Sequence, residues 1–145
     1  MTEHEAIQEL SKAFTTGWPL AQPAVPFAIW NEPGQLPSSP PGNADRFALL
    51  QIITSTSDNA TAGGVGERLV ERRGWIQVTL WVPAGERTDG MGLLVESVRS
   101  IFEMKNIGSG GETIDVFAAS AQPIDNDGRW DSKMVRAPYR VYETK

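Results

Sequence analysis

The residues with catalytic or ligand-binding potential are few and scattered. The single histidine, His4, stands in a terminal turn, so a histidine acid–base centre or histidine metal cluster has no second member to draw on. There is no cysteine, which removes disulfides and thiolate metal sites. No serine lies in a G-x-S-x-G elbow. "GGVGE" at 63–67 has the glycines of a phosphate loop but lacks the Lys and Ser/Thr that complete one. It also leads into a strand pattern rather than a helix, so a hairpin turn is expected. "DNDG" at 125–128 begins like a calcium loop and breaks at "RWD", before the bidentate Glu such loops need. Asp and Asn also make turns through local hydrogen bonds, and a turn is expected there. Asp45, Asp58, Asp115 and Asp131 show no pairing in sequence that suggests a glycosidase carboxylate pair. The expectation is a protein that is not an enzyme and uses no metal or cofactor.

The aromatic residues make a stronger pattern. "GWIQVTLWVP" at 74–83 alternates as a strand does, with Ile76, Val78, Leu80 and Val82 on one side and Trp75, Gln77, Thr79 and Trp81 on the other. A solvent-facing side would be polar throughout, so two tryptophans there need a covering partner. Each indole removes roughly 150–250 Å² from water when covered. Either the chain folds over them, or the face meets another subunit, since aromatics are enriched at interface cores. Trp130, beside Arg129 and Lys133, is a further candidate anchor. Trp75, Trp81, Trp130, Arg136 and Arg140 form the candidate subunit interface.

The elements that would position these residues are legible as patterns. Residues 2–15 read as a helix with Ile7, Leu10 and Phe14 on one stripe, ended by Gly17 and Pro19. Residues 25–30 read as a short strand, and Pro26 places it at an edge or a strand start. "NEPGQLPSSPPGNA" at 31–44 is expected to be a long proline-rich loop, of the kind that is usually functional or disordered until bound. With Trp30 in front of it, Asn31, Pro33, Pro37, Pro40 and Pro41 make a candidate assembly loop. Residues 46–57 read as a strand apolar on both faces, and 67–82 as its hairpin partner, with Gly74 marking a bulge or bend. A second helix runs from about 89 to 105, with Thr88 or Asp89 as N-cap and "NIGSGG" as its stop. Residues 112–120 and 133–144 read as strands, with 121–131 a loop. The sum is one α+β domain over 1–145: a mostly antiparallel sheet of about five strands with two helices on one face.

The 145-residue length fits a single domain, and the net charge of −5 argues against a protein that grips nucleic acid through phosphates. The acidic N-terminus has no apolar core of a signal peptide, and no run reaches the ~18 apolar residues that span a membrane.

"RRGWIQVTLWVPAGERTDGMGLLVESVRSIFE", "FAIWNEPGQLPSSPPGNADRFALLQI" and "GRWDSKMVRAPYRVYET" together resemble the phage tail terminator family. Trp30 and Asn31 match its aromatic–Asn pair, Pro83 and Gly85 its turn, and Phe102 its helix end. The resemblance implies a small α+β subunit that assembles as a ring, typically a hexamer, on the head-proximal end of a long tail. Such a ring stops tail-tube polymerisation and meets head-completion proteins. Implied partners are further copies of the chain, the tail tube protein and the connector. DNA passes through the ring without specific binding, and no membrane is involved. The implied place is the virion neck, with assembly in the host bacterial cytoplasm. Another head–tail connector protein is the alternative, and a small-ligand module or enzyme a further one.

Overall fold

The first helix, α1 (Glu3–Ala21), begins in a capping box. The Thr2 hydroxyl accepts from the Glu5 N–H at 3.2 Å, and the Glu5 carboxylate accepts from the Thr2 N–H at 2.7 Å. Those two bonds hold the Glu5 carboxyl below its ordinary pKa. Ala6, Leu10, Phe14 and Trp18 fall on one stripe and are all buried. The helix was expected to stop at Gly17 and Pro19, and it continues through both. Burying Trp18 outweighs the local cost: its ring stacks on Phe14 at 5.4 Å, and its Nε1 donates to the Val25 carbonyl at 2.9 Å. Pro19 lies in the last turn and deletes one helix bond, to the carbonyl of exposed Thr15.

The computed structural model describes residues 1–30, 46–59, 68–85, 88–109, 112–124 and 128–144. Strand β1 (Phe27–Ile29) follows α1, then β2 (Phe47–Asn59) and β3 (Leu69–Pro83). After α2 (Thr88–Phe102) come β4 (Asn106–Ser109), β5 (Glu112–Val116), β6 (Ser120–Ile124) and β7 (Trp130–Thr144). The sheet order is β1-β2-β3-β7-β5-β4, and β6 also pairs with β7. Only β1–β2 is parallel among the paired strands. The architecture is the expected α+β, mostly antiparallel, with seven strands among the described residues in place of about five. Both additions, β4 and β6, lie where a helix stop and a loop were expected. Their sequences "NIGS" and "SAQPI" carry no apolar alternation, so pairing rather than pattern makes them strands. The helix also ends at Phe102 rather than 105, followed by Met104 with a left-handed φ of 56°.

Both helices lie on one face of the sheet. Ala48 and Leu50 of β2, the even residues 76–82 of β3 and the odd residues 135–141 of β7 meet them in one core. Phe14 and Phe102 stack with rings 2° from parallel, joining the two helices over that face. Gly17 lets them approach: a β-carbon there would lie 3.0 Å from Ile101 Cγ1. The β2–β3 hairpin has the expected antiparallel register, with Thr54 opposite Gly74 and then Ser57 opposite Arg72. The one extra residue therefore belongs to β2, beside Gly74.

Candidate interaction surface on the helix-free face

Strand alternation sends Trp75, Gln77, Thr79 and Trp81 to the face opposite the helices. Their register partners on β7 are Pro138, Arg136, Met134 and Ser132. On the other side they meet Ile53, Gln51, Leu49 and Phe47 of β2. The two tryptophans have different fates. Trp81 is 2% exposed and packs with buried Phe47 and Leu49 in a second, smaller core, with Ala28, Trp30 and Trp130 beside it. The Phe47 and Trp81 rings are 6.3 Å apart and tilted by 58°. Trp75 is 36% exposed.

A polar ladder divides these two ends. Arg136 Nη2 donates to Gln77 Oε1 at 2.8 Å, and Gln77 Nε2 donates to Gln51 Oε1 at 3.0 Å. Both glutamines are buried. The pairing satisfies amides that would otherwise cost about 1–3 kcal/mol each as unpaired groups. It also fixes the Arg136 guanidinium 5.2 Å over the Trp75 ring, within cation–π range.

The open end continues across β7 to β5. Arg140 lies 5.3 Å from the rings of both Phe117 and Tyr142, which are 38% and 37% exposed. Its Nη2 donates to Asp115 Oδ2 at 2.8 Å, and that bond is the main reason its pKa is raised further. Arg73 pairs with Glu71 at the rim. Between Trp75 and Phe117 runs a cleft of about 400 Å³ that includes Arg73 and Pro138, with Ser55 and Thr56 of the bulge also lining it. A larger, shallower groove of about 600 Å³ lies elsewhere, between α1 and α2 around Gly17, Leu20 and Ile101.

Of the five sequence-derived interface candidates, the fold gathers Trp75, Arg136 and Arg140 at the open end. Trp81 and the half-buried Trp130 lie at the closed end. Trp30 packs there too, with its backbone N–H on the Leu50 carbonyl. Asn31, Pro33, Pro37, Pro40 and Pro41 lie outside the described residues, as do Asp45, the 63–67 glycine stretch and residues 125–127 of "DNDG". So do the side chains of Thr88 and Asp89. Asp58 and Asp131 are exposed, and His4 is exposed on the first turn of α1. Among the described residues, no group of three or more His, Asp or Glu side chains could hold a metal ion. None of the described helices is long and apolar enough to cross a membrane. Phe117 and Tyr142 carry no comparable signal in the sequence. The i, i+2 steps Asp115–Phe117 and Arg140–Tyr142 do place each pair on one face, but only strand register shows that the pairs meet.

No family model and no curated protein matches the sequence. A solved structure whose name states no activity or partner aligns over 100% of this chain and 99% of its own. Its TM-score is 0.69 at 19% identity. At that identity the likeness concerns the fold alone.

Proposed function

We propose that this chain is a structural virion protein, a tail terminator whose copies close into a ring. The ring caps the tail tube, ends its polymerisation and joins tail to head. The observation that carries the reading is the open half of the helix-free face: three large aromatics and two stacked arginines at the surface of a sheet whose other face packs against its own helices. Trp, Tyr and Arg are the residues most enriched among interface hot spots. A ring needs head-to-tail contacts between different patches, and a face left unfinished by its own chain supplies one of the two. The sequence resemblance to the terminator family supplies the rest of the reading. Another neck or head–tail connector protein would use the same surface.

The test compares two tryptophans. Trp75→Ala should abolish rings in electron micrographs and sedimentation while leaving the melting curve nearly unchanged. Trp81→Ala should lower folding stability by about 3–5 kcal/mol, as large-to-small changes in a core do. A wild-type chain that stays monomeric and binds no purified tail tubes would sink the proposal.

A further inference from the structure

The geometry points to the Trp75–Phe117 cleft as a docking site for an acidic, proline-containing segment of another polypeptide chain. The inference deepens the ring reading by naming the chemistry of what this face takes. Two aromatic rings wall the cleft, each more than a third exposed, and Pro138 lies between them. Aromatic-lined grooves of this kind take polyproline II segments, whose extended backbone is already ordered before binding. The charges fix the sign of the partner. Arg73 and Arg140 each have a carboxylate, Glu71 and Asp115. Arg136 is held on the Gln77 amide and over Trp75. Among the described residues no carboxylate pairs with it, so the patch holds one arginine more than it holds acids. A carboxylate arriving beside Trp75 would meet a guanidinium already oriented by Gln77, and charge-assisted hydrogen bonds are roughly twice as strong as neutral ones. The chain itself contains such a sequence: residues 31–45 carry four prolines and two acids with no Lys or Arg.

A fluorescently labelled peptide of that sequence, NEPGQLPSSPPGNAD, is the probe, titrated against the full chain by anisotropy. Saturable binding is expected. Trp75→Ala and Arg136→Gln in the protein should each weaken it about fivefold or more. The same loss is expected for peptides with Pro37, Pro40 and Pro41 changed to Ala, or with Glu32→Gln and Asp45→Asn. Melting curves of both protein variants establish that they remain folded. No saturable binding, or binding indifferent to the two protein substitutions, overturns the inference. So does equal binding of the uncharged peptide. Sedimentation of the same samples separates the two readings. Rings without peptide binding remove the docking site and leave the ring. Peptide binding by a chain that stays monomeric removes the ring and leaves the docking site.

Discussion

A β-carbon on Gly74 would sit 2.3 Å from the Ile53 carbonyl oxygen and 2.6 Å from the Tyr139 ring. Neither neighbour can yield easily, because one is backbone and the other is a buried core ring. Gly74→Ala should therefore cost about 1–3 kcal/mol, the range of overpacked core sites, seen as a lower urea midpoint. A loss below about 0.5 kcal/mol, the scale of ordinary surface changes, would mean that the bulge beside it absorbs the methyl group. Tyr139 carries a second residue-level consequence. Burial pushes its phenol up to about 12, with Glu3 adding to the shift. The folded chain thus keeps a proton that the unfolded chain releases near pH 10, so stability is intact below pH 10 and falls as pH rises toward 12. Tyr139→Phe should flatten that alkaline decline in a melting-temperature profile. An unchanged slope would assign the decline to other groups. Gly74 was legible in the sequence as an irregularity within an alternating strand. The reason glycine is needed was not legible, because Tyr139 comes from a strand 65 positions later that meets it only through register.

The elements followed the same division between local and long-range causes. Alternation at 74–83 and at 135–141, and the helical stripes at 6–14 and 91–102, state their own periods and were readable one segment at a time. Helix α1 outruns its local signals because Gly17 and Pro19 are stop signals in sequence, whereas Trp18 rewards continuing only when Phe14 and Val25 are in place. Strands β4 and β6 were unreadable because neighbouring backbones define them. Pro123 within β6 also argues against a central strand, and it is accommodated because, among the described residues, that strand pairs with β7 alone. The start of α1 gives the element-scale prediction. Thr2→Ala removes the hydroxyl that caps Glu5 N–H and should cost about 1 kcal/mol. Thr2→Ser, which restores an oxygen at the same reach, should recover most of it in thermal unfolding. No loss for Thr2→Ala would show that α1 is held by Leu10, Phe14 and Trp18 without help from the cap.

For the whole molecule the question is how copies carrying a net charge of −5 each can pack side by side. Their mutual repulsion opposes assembly most at low ionic strength and weakens as the screening length shortens, from ~30 Å at 0.01 M to ~8 Å at 0.15 M salt. Contacts at the open face are of two kinds that respond differently. Burial of Trp75, Phe117 and Tyr142 does not depend on charge, and partly buried arginine contacts are screened less than exposed ones. Under the ring reading, raising salt over that range should favour assembly, seen as a lower protein concentration at half-association. Trp75→Ala should remove most assembly at every salt concentration. Arg136→Gln should weaken it at all ionic strengths without reversing the trend. If rings instead fall apart steeply as salt rises, exposed ion pairs hold the subunits together. The aromatic half of the face would then be surface with another use, and the terminator reading would lose the observation on which it stands.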